Sequence, residues 1–479
     1  MQDDSSNSTR EWSHTARDAW NIWKTGVSSV DSCCLVIRQI DASQNKISIS
    51  GIDWQPKAGS QICVVGAGKA GAGMAAAVEE ALGGTWLGRT TGWVNVPEDC
   101  VRPLKKIHLH PARPAGRNEP TLEGVQGTNE ILRRVSELNE DDLCLVLISG
   151  GGSALLPAPV DGVSLEAKLE VIRLLMRSGA TISELNTVRR AISQVKGGGL
   201  LRACQAGCMV TLIISDVIGD PLETIASGPT VDIRPDPVAA RSILGHYFSQ
   251  AQMEIPTAIL NALDEIAAPQ KEANSSSTDK PKSRNVNIVI GNNHTAVEAA
   301  SREAQRLGYT VCREEWDQPG DAAACGRELA NAIIEAQSLA DSQRRVCLIS
   351  GGEPTVKLAE TSGPQKGGRN QELVLAATVS LLEQHRTASS RPSSFALISG
   401  GTDGEDGPTD AAGAMIDAPL LTEIRQSGLN PDDFLRVNNS YPFFDQFGAL
   451  IKTGPTHTNV MDVRVVLISN ETDLAATNR

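Results

Sequence analysis

Three times in this chain an apolar run closes on the same five residues: Leu147-Ile-Ser-Gly-Gly151, Leu348-Ile-Ser-Gly-Gly352 and Leu397-Ile-Ser-Gly-Gly401. A short aliphatic run that stops at Ser-Gly-Gly reads as a buried parallel strand feeding a tight loop. Three such endings argue for loops gathered at the carboxyl edge of parallel sheets, where open α/β folds take their ligands. Strand-like and helix-like segments alternate along the rest of the chain, which supports the same fold class. The expected architecture is α/β: two α/β domains with largely parallel, Rossmann-like sheets and the active site in the interdomain cleft. At 479 residues the chain is too long for one ordinary domain. Composition turns polar at Ala267–Asn285, where Gln270-Lys-Glu-Ala-Asn-Ser-Ser-Ser-Thr-Asp-Lys-Pro-Lys-Ser lacks core-forming residues. The expected partition is therefore 1–266, a linker at 267–285, and 286–479. Residues Thr9–Val36 read as one helix with Trp12, Trp20 and Trp23 on its apolar face. The strand at Lys106–Leu109 is expected to stop at His110-Pro111, and Gly448–Lys452 with Val463–Ile468 reads as a closing pair of strands.

A net charge of −13 argues against a general nucleic-acid binder, which needs a basic face. No apolar run approaches the length of a membrane span, and the start lacks the basic and apolar regions of a signal peptide. The ten cysteines show no metal or disulfide spacing and read as reduced thiols of a cytoplasmic protein. The histidines form no zinc spacing either.

Chemistry concentrates in a few stretches. Gly66-x-Gly68-x-x-Gly71 follows a strand and opens a helix, formally the dinucleotide fingerprint. Lys69 inside it instead places a cation where backbone N–H groups already favour an anion. A phosphate or carboxylate site, an NAD(P) site and a plain structural turn all remain open there. Gly150, Gly151, Gly152 and Ser153 form a second glycine turn, with Arg189 and Lys196 shortly beyond. Asp216 follows a strand, in position for metal or acid–base work, and Asn292 lies in another strand-to-helix loop. In Gly367-Gly-Arg-Asn370, Arg369 stands at a helix start, where a cation is mildly disfavoured; such a broken rule marks function. Asn370 follows it directly. Asp403, Asp406 and Asp410 put three carboxylates within eight residues after the third Ser-Gly-Gly strand. With Glu353 they suggest a divalent metal holding a phosphorylated ligand.

Taken together, Gly68-Lys-Ala70, Ile148-Ser-Gly-Gly-Gly-Ser-Ala-Leu155, Asn186-Thr-Val-Arg189, Lys196-Gly-Gly-Gly199 and Ile214-Ser-Asp-Val-Ile-Gly-Asp-Pro221 resemble the N-terminal part of the class II glycerate 2-kinases. Gly351-Gly-Glu-Pro-Thr355, Gly367-Gly-Arg-Asn-Gln-Glu-Leu373 and Thr402-Asp-Gly-Glu-Asp-Gly-Pro-Thr-Asp-Ala-Ala-Gly413 resemble the C-terminal MOFRL domain of that family. The resemblance spans nearly the whole chain. It implies ATP-dependent phosphorylation of D-glycerate on its 2-hydroxyl, with Lys69 and Arg369 as active-site cations and two α/β domains around a cleft. The resemblance also exposes departures. His457 stands where the family's Thr-Gly-Pro-Thr-Gly-Thr-Asn has its second glycine, and Asn439 replaces the aspartate of its Asn-Asp-Ser-Tyr.

The expected assignment follows. Lys69, Arg369 and Asp216 are catalytic. Gly68, Gly150, Gly151, Gly152, Ser153, Arg189, Lys196, Asn292 and Asn370 bind substrate or phosphate. Asp403, Asp406, Asp410 and Glu353 are the metal candidates for Mg²⁺ bridging ATP phosphates, Asp403 first. The alternatives are an NAD(P)-dependent hydroxypyruvate reductase and a non-catalytic nucleotide- or glycerate-binding protein. A homodimer is left open.

Overall fold

The computed structural model describes residues 10–116, 119–268, 284–339, 345–384 and 394–469. They fall into two compact units: a first of residues 32–290, and a second that joins the residues up to 31 with those from 291 onward.

The first unit opens with a small antiparallel meander, β1 (Ile40–Ala42), β2 (Ile47–Ile49) and β3 (Ile52–Trp54). Its main sheet contains β4 (Ile62–Ala67), β5 (Thr90–Pro97), β6 (Ile107–Arg113), β7 (Leu143–Ile148), β8 (Cys208–Ile214) and β9 (Arg284–Gly291). Their spatial order is β6-β5-β4-β7-β8-β9. The pairings from β6 through β8 are all parallel. β4, β7 and β8 are buried at every residue, as strands covered on both faces should be. The strand order reverses between β4 and β7, so the loops after these two strands flank the crevice where such sheets take ligands. β6 runs on through Pro111 instead of stopping before it. It is the edge strand, and a proline there costs no ladder bond on its free side.

Beside this sheet stands a helical layer that sequence periodicity only partly revealed. Helices Leu165–Arg177, Ile182–Ala191, Pro237–Gln250 and Thr257–Ala267 share a core of Val171, Leu175, Val188, Leu244, Phe248 and Leu263. Their starts carry local signals. Thr181 and Glu184 form a capping box, and Asp236 caps a helix that begins with Pro237.

The second unit holds β10 (Thr310–Glu315), β11 (Val346–Gly352), β12 (Ser394–Gly401), β13 (Gly413–Asp417), β14 (Leu450–Ile451) and β15 (Asp462–Ser469), in the order β10-β11-β15-β12-β13-β14. Here the expectation of a largely parallel sheet needs correction. Only β10–β11 is parallel; the other four pairings are antiparallel. The chain turns from β12 to β13 through the loop 402–412, without the crossover helix that parallel neighbours require. β15 threads between β11 and β12, antiparallel to both. It is therefore central and does not close the sheet with β14, which pairs β13 instead.

The N-terminal segment is two helices, His14–Ser29 and Ser32–Ile37. The first belongs to the second unit, where the Trp23 indole lies on β12 and donates to the Gly400 carbonyl at 3.3 Å. A Cβ at residue 400 would stand 2.8 Å from the Trp23 ring, so the indole needs a glycine beneath it. Nearby, Asp18 accepts from Tyr309 at 2.8 Å and pairs with Arg345 at 3.2 Å. The units thus differ from the partition expected at 267–285. Residues up to 31 side with the later half, because the buried face of that helix covers its sheet. β9 sides with the first half, because it extends the parallel sheet next to β8. Most of the polar stretch, residues 269–283, lies outside the described residues.

Candidate functional site

In the first unit β4 delivers Gly68 and Lys69 at the switch point, and β7 delivers Ser149 to Ser153. The two turns are locked together. Gly68 has φ +151° and lies so close to Ser149 that a Cβ would meet the Ser149 Oγ at 1.9 Å. The N–H of Gly68 donates to Asn95 O at 3.2 Å, that of Lys69 to Gly150 O at 2.9 Å and that of Gly71 to Gly68 O at 3.1 Å. Ala70 N–H donates to Ser149 Oγ at 3.1 Å. The backbone donors a pyrophosphate would need at this glycine fingerprint are therefore spent within the protein. An anion here meets the half-buried Lys69 side chain rather than a nest of N–H groups. In the second turn Gly151 adopts φ +77°, and Gly152 N–H donates to Ser149 O at 3.1 Å. The N–H groups of Gly150, Gly151 and Ser153 remain the unspent donors of this pair of turns among the described residues.

Lys196 is 3% exposed and places its Nζ against Ser153, donating to the carbonyl at 3.0 Å and also to the hydroxyl. It reaches Ser227 Oγ at 3.3 Å. Burial, then Lys168 and Arg189, push its pKa well down. Arg189 is half-buried, donates to Asn186 Oδ1 at 3.4 Å, and burial lowers its pKa too. Gly150 to Ser153, Arg189 and Lys196 are thus brought together, joined by Asn186 and Ser227, which carry no role in the expected assignment, and by Lys168, which lies in no motif. Asp216 lies half-buried in the loop after β8.

The second unit organises Arg369. Its Nε and Nη2 form a two-pronged pair with Asp462 at 2.7 and 2.9 Å, and its Nη1 meets Glu353 at 3.0 Å. Burial opposes the charge, but Asp462, with Glu353 and Asp406, more than offsets it and holds the pKa high. Asp462 is fully buried at the first residue of β15. A lone acid opening an apolar strand was its only sequence signal. One edge of the guanidinium is thus engaged by Asp462, and its Nη1 by Glu353.

Asp406 explains how a cation tolerates this helix start. Its carboxylate accepts the N–H groups of Asn370 and Gln371 at 3.0 and 2.9 Å, anchoring helix Arg369–Gln384. Burial raises its pKa to about 7 against those hydrogen bonds. Gly368 is needed for this approach, since a Cβ there would lie 2.3 Å from the Asp406 carboxyl carbon. Asn370 is fully buried between Asp406 and Ser399, whose hydroxyl donates to it at 2.6 Å. It supports the loop rather than facing ligand. Asn292 caps helix Asn293–Arg306, accepting from Thr295 at 3.0 Å. Asp410 accepts from Tyr441 at 2.6 Å and pairs with Lys452 at 3.1 Å. Asp403 is half-buried and accepts the Glu405 N–H at 3.1 Å. The three aspartates therefore turn to three different partners, and no group of three or more His, Cys, Asp or Glu suited to a metal occurs among the described residues. Beside Arg369 opens a cavity of about 650 Å³, bounded by Glu353, Gln365, Glu372, Pro408 and Asn438. Asn438 donates to Glu372 at 2.8 Å across its wall. The volume suits a nucleotide-sized ligand.

A lysine-bearing turn at the switch point of a parallel sheet and a carboxylate-braced arginine at a helix start define an α/β protein that handles small anions. Comparison with known proteins narrows the class. Residues 18–264 match a domain of unknown function, DUF4147, and residues 346–462 match the MOFRL family. The chain is 35% identical to a glycerate kinase of Danio rerio, covering 93% of this chain and 96% of that one. It is 34% identical to a glycerate 2-kinase of Pyrococcus horikoshii, over 93% and 95%. Its fold matches the crystal structure of a Thermotoga maritima glycerate kinase with a TM-score of 0.76, at 31% identity, over 95% of this chain and 99% of that one. The chain belongs to the glycerate kinase family built from a DUF4147 domain and a MOFRL domain.

Proposed function

We propose that this protein phosphorylates D-glycerate on its 2-hydroxyl with ATP, giving 2-phospho-D-glycerate. The observation that carries this reading is full-length similarity to glycerate kinases, with Lys69 and Arg369 each set in a glycine turn. The spent backbone donors at Gly68–Gly71 weigh against the reductase alternative, which needs them for a dinucleotide pyrophosphate. In phosphoryl transfer the protein mainly positions reactants and stabilises charge on the moving group. Lys69 acts as a compact point charge for a phosphate or a carboxylate. Arg369, held in plane by Asp462, offers its outer edge to phosphoryl oxygens. Arg189, Lys196 and the free N–H groups of Gly150 and Gly151 hold the glycerate carboxylate, and Asp216 orients the 2-hydroxyl.

The scattered carboxylates do not fit a metal held wholly by protein. They do fit magnesium carried by ATP phosphates, which takes one or two protein oxygens, from Asp403 or Glu353. Held there, it would supply charge neutralisation on the phosphates. Asp406 is spent on the helix start and Asp410 on Tyr441 and Lys452. The protein is proposed to act in the cytoplasm, with sedimentation deciding whether as a homodimer. The test of the activity is ADP release with purified protein, ATP and D-glycerate. Glycerate-dependent release supports the reading; NAD(P)H consumption with hydroxypyruvate and no ADP release overturns it.

A further inference from the structure

The first unit draws three cations together, Lys168 and Lys196 buried and Arg189 half-buried, and among the described residues no acid pairs with them. Lys168, from helix Leu165–Arg177, is 5% exposed, and its Nζ has no hydrogen-bond partner. Its charged neighbour is Arg189, and both bear on Lys196. Among the described residues Lys196 is bonded only to neutral oxygens, those of Ser153 and Ser227, and Arg189 to the neutral amide of Asn186. Two other buried charges in this protein are met by partners. Arg369 has Asp462, and Glu79 accepts the N–H groups of Lys105, Lys106 and Ile107. A buried, unpaired ammonium is among the costliest groups a fold can carry, and two side by side with an arginine repel one another. Such an arrangement is stable work only for an anion that comes from outside. The half-buried Ser153 and Arg189 are its approachable edge, and Ser153 lies in the same turn as the Gly150–Gly151 donors.

We propose that Lys168, Lys196 and Arg189 form a preorganised anion pocket that grips the carboxylate of the acceptor substrate, with Lys168 as its third and previously unassigned cation. The identity of that carboxylate as glycerate rests on the proposed kinase reading; the pocket itself rests on the missing counter-charge. Three cations around one carboxylate select for an acid over the corresponding alcohol or ester, because removing the charge leaves them unpaired again. Lys168 is too far inside to be replaced by solvent, so its loss weakens acid binding rather than nucleotide binding.

The experiment compares wild type, Lys168→Met and Lys168→Arg by steady-state kinetics and by thermal unfolding with and without D-glycerate. Lys168→Met is expected to raise KM for D-glycerate about 10-fold or more, since a charge-assisted contact is lost. It should leave KM for ATP within about twofold and unfold at a higher temperature than wild type without ligand. Lys168→Arg should recover part of the glycerate affinity. A merely structural lysine predicts the opposite: a lower unfolding temperature and an unchanged KM for D-glycerate, and that result overturns the pocket. A rise in KM for ATP alone would also overturn it, by moving the pocket to the nucleotide. If wild type shows no glycerate-dependent ADP release, the kinase reading fails by itself. The pocket is then judged on unfolding with inorganic phosphate: it stands if phosphate stabilises wild type more than Lys168→Met and falls if it stabilises both alike.

Discussion

Arg369 shows what a single residue needs from its surroundings. A guanidinium at a helix start is tolerable because Asp462 takes one edge and Asp406 takes the helix N–H groups. Asp462→Asn keeps the shape and removes the counter-charge. It is expected to cost about 3 kcal/mol in urea denaturation, the lower end for a broken buried pair, because Arg369 keeps Glu353. Arg369→Lys cannot reproduce the two-pronged pair, and kcat should fall about 100-fold or more with the fold intact; near-normal turnover would remove Arg369 from the chemistry. Lys168 carries a pH prediction. Burial, with Arg189 adding, pushes it down to about 7, against about 10.4 in an unfolded chain. Between those values the unfolded chain holds a proton that the folded one lacks, so stability rises as pH climbs from 7 towards 10. Lys168→Met should show a smaller gain in urea midpoint between pH 7 and pH 9 than wild type does. Lys69, Arg369 and the glycine turns were legible because they sit in dense motifs. Asp462 and Lys168 were not: one is a lone acid before an apolar run, the other a lone lysine in an amphipathic helix. His457 is a departure the structure makes physical, since its φ of +58° is one that a glycine adopts without strain.

At the scale of elements, strands buried on both faces announced themselves by composition, and β4, β7, β8, β11 and β12 follow the apolar runs closely. Neighbours were harder to read than strands. β15 is buried at every position around the apolar run Val465–Ile468, and that run reveals burial but not which strands flank it. The proline in β6 misled because its effect depends on being at an edge. Helices Pro237–Gln250 and Thr257–Ala267 escaped notice although one begins with a cap and proline, since their apolar faces make sense only against each other and against helices Leu165–Arg177 and Ile182–Ala191. The helix His14–Ser29 depends on Trp23, which is 1% exposed over Gly400. Trp23→Ala should destabilise the second unit by about 3–5 kcal/mol, seen as an early transition in thermal unfolding; a single unshifted transition would show that this helix is dispensable.

For the whole molecule, the partition follows what each segment buries and not where composition changes. The chain begins in one unit, passes through the other and returns, so cutting at the polar stretch separates the second sheet from its covering helix. A fragment of residues 291–479 should aggregate or expose apolar surface to dye, and adding residues 1–31 as a peptide should suppress this. Among the described residues no helix is long and apolar enough to cross a membrane. The central claim is that the lysine-bearing turn and the braced arginine serve phosphoryl transfer to glycerate and not hydride transfer. The most direct measurement follows ADP and NAD(P)H in parallel while purified protein acts on D-glycerate with ATP, with the product identified by phosphorus NMR. The account predicts one ADP and one 2-phosphoglycerate per glycerate consumed, with nicotinamide absorbance flat. Oxidation or reduction of the nicotinamide without ADP release would contradict it.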